Sequence, residues 1–570
     1  MGHSFKITNM QRRSSVVSGS LGKGLFFPQD DIQQPLQINN IEEETNEQTN
    51  DEYTSLLLMD NNDNGDINKS NNNKVNDELI NQEEELLQKN HIKYNNKSKS
   101  DIISSWENSI ELNDQKIKTN LFLEMQNLTF NSIPLMITFI LQNSLSLTSI
   151  FIVGHIGKLE LAGITLGSMT ANITGLAALQ GLATCLDTLC SQAYGAGKFE
   201  LVGIQVIRCF TFAITCFIPI AILWWGYSFQ ILNLFIKDSE LITIASNYLK
   251  IVSFGIPGFI LFEVSKRFLQ SQGVFHASSI VLLICAPLNF LISYLFVFNL
   301  KFGFIGTAYA IALNYWLMPL GLLIFIYFNQ NLLKCWPKNL KIEQIFSNWS
   351  KLIELALPGI IMVEAEFLGF EITTIMASNL GTNELAAQSV LSSICSLAYQ
   401  LPFSVSIATS TRVANFIGAS LVENSKTTCN ASMLLGLIIG ITNCIILVTG
   451  QNKITSLFTN DSEVIEMVLK VFTLLGYIEI IDCLNSTSAG CLRGQGLQKI
   501  GGYINIFAFY VMGLPVSYLL TFVYDFSLVG LWLGITIGLS TIFILQCLTV
   551  FWISDWDKIL QDAQKRNNDV

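Results

Sequence analysis

The chain has 570 residues, half of them hydrophobic and 14% charged, with a mean hydropathy of +0.43 and a net charge of −11. That composition is too apolar for a soluble globular protein of this size and offers no basic surface for a nucleic acid. Residues 1–119 hold 20 of the 44 Asp and Glu and 12 of the 33 Lys and Arg, which leaves the rest nearly neutral.

The first thirty residues contain Arg12 and Arg13 but no apolar run after them, so no cleavable signal peptide is expected and the first membrane helix must direct insertion. From about residue 30 the sequence turns Asn-rich and acidic, as in Asn71–Asn73 and Glu83–Glu85. It has too few apolar side chains to offset the entropy of ordering, so residues 1–119 are read as a disordered cytoplasmic tail. Inside it, Glu52, Leu56 and Leu57 fit the acidic dileucine pattern read by sorting adaptors, the partner expected there.

After Asn127 come twelve apolar stretches, each near the roughly 20 residues that cross a bilayer. They fall at 127–152, 160–186, 206–227, 243–265, 277–298, 303–328, 352–378, 385–410, 429–450, 465–489, 500–523 and 529–552. Asn, Gln, Ser and Thr interrupt many of them, which predicts helices bundled around a polar interior. All twelve cysteines lie between Cys185 and Cys547 without a CxxC pair, so they are read as packing residues, and no metal, cofactor or disulfide is expected.

Basic residues set the expected orientation. With the tail cytoplasmic, fifteen fall on the inner side: Lys198, Arg208, Lys266, Arg267, Lys334, Lys338, Lys341, Lys351, Arg412, Lys426, Arg493, Lys499, Lys558, Lys565 and Arg566. Only Lys158, Lys237, Lys301 and Lys453 fall outside, so both termini are expected in the cytoplasm, under a plasma membrane or a vacuolar or lysosomal one.

The chain also repeats itself at a period near 224 residues. Pro134 pairs with Pro358, Gly157–Ala162 with Gly381–Ala386, Gln192–Ala196 with Asn415–Ala419, Leu269–Gly273 with Leu492–Gly496, and Gly306 with Gly530. The expected fold is an all-α membrane protein with about twelve transmembrane helices in two six-helix lobes. The lobes are assigned to 120–328 and 352–553, joined by a cytoplasmic linker at 329–351 and followed by a cytoplasmic C-terminus at 554–570. Six helices per lobe keep the repeats in one orientation, about an axis along the membrane normal.

Several of these segments resemble the multidrug and toxic compound extrusion (MATE) family, eukaryotic type, over roughly 124–552. They are Val153–Gly157 with Leu159–Ala162, the stretch Asp187–Ala196, Arg412–Ala419 and Leu492–Gly496. The resemblance implies secondary active efflux of organic cations or similar compounds, driven by protons or sodium, without enzymatic chemistry. The sequence has no Walker A pattern.

Acids inside a span are costly and point to function. Predicted helix 7 contains Glu364, Glu366 and Glu371, and helix 10 contains Glu479 and Asp482. The resemblance places Glu366, Glu371 and Asp482 at the family's transport carboxylates, while Glu364 and Glu479 have no counterpart and are read either as further substrate or proton sites or as helix-end side chains that reach toward the interface. At 100° per residue Glu364 and Glu371 share a face, whereas Glu366 and Glu371 diverge by about 140°. A π-bulge or kink at Gly369, or a broad cavity, would bring both to one site. In the first half, helix 1 has no acid between Leu128 and Gly154, and Gln142, Asn143, Asn172 and Asn289 are read as candidates to line a cavity there, with ordinary interhelical hydrogen bonding as the alternative. Asp187 and Glu160 are read as braces of helix ends.

The expected mechanism is exchange, with a cationic substrate and protons competing for the acids of the second lobe. At an effective dielectric near 20, a carboxylate about 4 Å from a cation contributes roughly 4 kcal/mol, so protonation weakens binding by up to about three orders of magnitude. The coupling ion is expected to be H+, with sodium, or export of an organic acid, as alternatives. A lipid flippase or a non-transporting receptor fits less well.

Overall fold

The computed structural model describes residues 119–234, 238–459 and 461–568. The predicted tail, with Glu52, Leu56 and Leu57, lies outside the described residues apart from Thr119.

The first lobe contains α1 (Leu121–Val153), α2 (Lys158–Gly195), α3 (Phe199–Asn233), α4 (Ser239–Ser271), α5 (His276–Asn299) and α6 (Ile305–Phe328). The second contains α7 (Trp349–Ser378), α8 (Thr382–Gly418), α9 (Val422–Phe458), α10 (Ser462–Gln495), α11 (Gln498–Val523) and α12 (Ser527–Ile553). Among the described residues, nine helices are long and apolar enough to cross a membrane, ten if the bent α4 is one span. The helices α7 and α10 have the length, 30 and 34 residues, but their acids dilute their apolar character. With these two the predicted twelve are present.

Short polar side chains start several helices by accepting the first unpaired backbone N–H groups. Asn120 does this for α1, Asp238 for α4 and Asp461 for α10. The 54° bend in α4 falls between Val252 and Ile256, where Ser253 Oγ donates to the Lys250 carbonyl and Pro257 opens the second half. That second half continues to Ser271, six residues past the predicted end. Glu160 and Glu384, which correspond in the repeat, each fold back over the glycine ahead of their helix, Gly157 and Gly381.

The core of the second lobe centres on Leu391, Phe472, Leu475 and Trp532, with the Trp532 indole N–H donating to Gln388 Oε1 at 2.8 Å. Leu128, Leu135 and Phe139 of α1 form a separate cluster with Val405, Ala408, Ala431 and Leu435 of α8 and α9, so apolar packing crosses between the lobes.

The lobes are sealed at the end that carries the described chain termini. Here the two repeat motifs meet, because Gly195 of α2 lies against the Asn415 backbone and Gly418 of α8 against the Gln192 backbone. Glu124 of α1 pairs with Arg412 of α8, and Thr428 of α9 donates to the same carboxylate at 3.0 Å. The segment predicted as a plain C-terminus folds as an amphipathic helix, α13 (Trp556–Asn567). Its Ile559, Leu560 and Ala563 pack on Val413, Ile417 and Cys429, while Asn567 Nδ2 donates to the Gln192 carbonyl and Lys198 Nζ to the Asn567 carbonyl.

The structure corrects part of the loop assignment. Arg208, Lys266, Arg267, Arg412 and Arg493 are buried side chains within helices and not loop charges. Arg208 anchors the linker, donating to the Gln344 carbonyl at 2.7 Å and to Ser347 Oγ at 2.8 Å, and the linker has helical turns at Gln330–Cys335 and Ile342–Phe346.

Candidate functional site

The α7 helix runs as regular α-helix through Gly369, which packs against the ring of Phe509 on α11. No π-bulge occurs there, so the 100° step separates the three acids. Glu366 points into a cavity of the second lobe shared with Asp482 of α10. Glu371 does not line it, and Glu364 lies on the side of α7 that faces Tyr510 of α11.

Tyr399, Asn485, Asn505 and Gln546 complete the polar wall of the cavity. Its amides are held in place. Asn485 Nδ2 donates to the Leu539 carbonyl at 3.0 Å, Gln546 Nε2 to Asn505 Oδ1 at 3.2 Å, and Asn505 Nδ2 to the Met362 carbonyl at 3.1 Å. Ser488 Oγ fixes Gln546 from behind at 2.7 Å. Glu366 and Asp482, by contrast, form no salt bridge with the described residues, so they face the cavity with their bonding capacity open. Two carboxyl groups facing one cavity can bind protons or a cation.

Glu479, placed near a helix end by sequence, is mid-helix and 0% exposed, one turn before Asp482. Its carboxylate, that of Asp482 and the Cys395 thiol of α8 lie within 4.8 Å of one another.

In the first lobe the predicted polar residues differ in their surroundings. Asn143 and Asn172 are exposed, Asn289 Nδ2 donates to the Leu145 carbonyl at 3.3 Å, and only Gln142 reaches a charged group, donating to Glu263 Oε1 at 3.0 Å. Glu263 belongs to a buried ion network that the sequence reading missed. It accepts from Lys266 Nζ at 2.7 Å and Arg267 Nη1 at 2.5 Å, and Arg267 Nε lies 3.3 Å from Asp187 Oδ1. The Lys266 ammonium also lies over the rings of Phe139 and Phe262. The spacing Glu263, Lys266, Arg267 was the available signal, since three and four residues along a helix share a face. It was lost because the helix was ended at 265.

Two six-helix lobes related by a repeat, sealed at one end, with an acidic cavity inside one lobe, are the architecture of a membrane transporter. The MatE family profile matches residues 134–295 and 358–519, one copy in each lobe, and the chain belongs to this family. An uncharacterized transporter of Saccharomyces cerevisiae is 42% identical over 77% of this chain and 63% of its own length. Human multidrug and toxin extrusion protein 1 is 30% identical over 73% of this chain and 72% of its own. The crystal structure of the eukaryotic MATE transporter AtDTX14 superposes with a TM-score of 0.74 at 27% identity, covering 78% of this chain and 99% of that one. The Vibrio cholerae transporter VcmN in its bent form, at 15% identity and a TM-score of 0.69, shares the fold.

Proposed function

We propose that this efflux transporter exchanges organic cations for protons at the cavity between Glu366 and Asp482. The observation that carries the reading is that these two acids line one cavity without a salt bridge from the described residues. A pair of carboxyl groups in that setting, Asp482 buried and Glu366 half-buried, must share protons, meet water or bind a cation, and protonation weakens the hold on a cation. By contrast, Glu263 and Asp187 of the first lobe are occupied by Lys266 and Arg267.

The terminus-bearing end is assigned to the cytoplasm. Ten of the fifteen basic residues predicted inside remain after the five buried ones are removed, against four outside. On that assignment the seal of Glu124, Arg412, Gly195, Gly418 and α13 closes the cytoplasmic side, and the lobes rock to break it when cargo is loaded. The test is uptake of a fluorescent organic cation into proteoliposomes under imposed gradients. A proton gradient alone is expected to drive uptake; uptake driven by a sodium gradient at constant pH, with none from protons, overturns the assignment.

A further inference from the structure

We infer that Glu479 is a second exchangeable proton-binding group of the C-lobe, loaded and emptied through Asp482; the inference rests on the proton-coupled reading above. Glu479 is 0% exposed, its carboxyl oxygens make no close hydrogen bond to the described residues, and only the neutral Cys395 thiol and Asn443 amide approach them. An ionised carboxylate held that way is an uncompensated buried charge, which costs on the order of several kcal/mol. The neutral acid avoids that penalty, so in this conformation Glu479 carries a proton.

The geometry also supplies the route. Glu479 and Asp482 are three residues apart on α10 and so share a face, with their oxygens within 4.8 Å of each other. Asp482 borders the cavity and Glu479 does not, which makes Asp482 the group between Glu479 and the transport pathway.

The groups in contact with Glu479 and Asp482 supply no cation, and the Arg493 guanidinium acts instead on Glu366 and Tyr399 at the cavity wall. Cys395 of α8 faces both acids, Asn443 of α9 approaches Glu479, and Cys483 flanks them on α10 itself. Glu366 of α7 and Tyr399 of α8 share the cavity with Asp482, and α11 and α12 contribute the amides of Asn505 and Gln546. The basic residues of α10, Lys470 and Arg493, lie 9 and 14 residues from Glu479, about 14 and 21 Å along the helix, and Lys470 pairs with Glu466. Arg493 lies on the far side of Asp482. Its Nη2 is committed to Ser406 Oγ at 2.6 Å.

The exchange balances. A proton passes from the Glu479 hydroxyl to the Asp482 carboxylate, then from Asp482 to water in the cavity, and the Glu479 anion that remains is compensated only when a cation occupies the cavity. Departure of this proton is therefore tied to arrival of cargo, and the two acids titrate as a unit.

Infrared difference spectra of the purified full-length protein, recorded across a pH titration in sodium-free buffer, test this directly. Wild type is expected to show a protonated-carboxyl carbonyl band that loses intensity in Glu479→Gln and moves in frequency in Glu479→Asp. The Asp variant keeps the test open if Gln at 479 does not fold. An unchanged band in both variants overturns the inference, as does disappearance of the wild-type band on adding sodium at constant pH, which would assign the position to a metal cation. In proteoliposomes, the proton-to-cation ratio at zero net flux should fall by one in Glu479→Gln, and an unchanged ratio overturns the inference as well. A wild type driven by sodium alone that still shows the Glu479-dependent band would sink the proton-exchange reading and leave the proton-binding group standing.

Discussion

Glu124 of α1 and Arg412 of α8 lie 288 residues apart in sequence and form a two-point ion pair across the lobes, with Nη2 to Oε1 at 2.6 Å and Nε to Oε2 at 2.9 Å. Both are buried, at 0% and 8% exposure, and the guanidinium also stacks over the ring of Phe416. Any motion that opens the lobes at the terminus-bearing end has to break this pair. Removing one partner leaves the other charge buried and alone, so Glu124→Gln and Arg412→Gln should each destabilise this state by about 3–5 kcal/mol. Thermal unfolding of the singles and the double variant is the check. The double should lose less than the sum of the singles, and strictly additive losses would show that the two side chains do not act as a pair.

The glycines of the repeat motifs make a second prediction. A methyl group on Gly195 would overlap the Asn415 carbonyl, and one on Gly418 would overlap the Gln192 carbonyl. Neither neighbour can yield, because each is the backbone of the opposite lobe. Gly195→Ala and Gly418→Ala should therefore hold the seal open and make the sealed end reactive toward a membrane-impermeant thiol reagent at a cysteine introduced beside it. Gly226→Ala is the control, since nothing lies within 4 Å of a Cβ there. Labelling that matches the control would show that the seal forms without these close approaches.

These two relationships mark the line between what the sequence displays and what it does not. Helix count, lobe division and the repeat follow from apolar length and from local motifs such as Gly157–Ala162 and Gly381–Ala386, because each is written in consecutive residues. The separation of Glu366 from Glu371 is equally legible, since 100° per residue sets it once α7 is regular. Pairings such as Glu124 with Arg412 are not, because they depend on how two lobes meet and leave no periodic trace. Lys266, Arg267 and Arg493 were read as loop charges because basic residues near span ends usually are. Their burial is visible only once α4 is seen to run on to Ser271 and α10 to Gln495.

The α13 helix should strengthen the seal, since it contacts both lobes. Ile559 and Leu560 are buried against the second lobe, and each contributes roughly 1.5–3 kcal/mol of apolar burial. Lys198 and Gln192 bind Asn567 from the first. Ending the chain after Asp555 should lower the unfolding temperature and raise reactivity at the sealed end, while Gly226→Ala, which meets nothing within 4 Å, should leave the labelling unchanged. A truncated protein with wild-type stability and labelling would show that α13 only rests on the surface.

The last prediction concerns the acids of the cavity. Glu366 and Asp482 line one space, whereas Glu371 stands five residues along α7, outside it. Glu366→Gln and Asp482→Asn keep size and hydrogen-bonding capacity while removing a charge, so each should suppress cation transport without unfolding the protein. Each lost carboxylate removes roughly 4 kcal/mol of attraction if the cargo approaches to about 4 Å at an effective dielectric near 20. Because the two serve one site, the double variant should lose little more than the worse single. Glu371→Gln acts from a separate position, so any loss it causes should add to either. Transport rates at matched expression, measured for the three singles and for the Glu366/Asp482 and Glu371/Asp482 doubles, decide the matter. If coupling appears between Glu371 and Asp482 and is missing between Glu366 and Asp482, the cargo is held by a different set of acids from the one that lines this cavity.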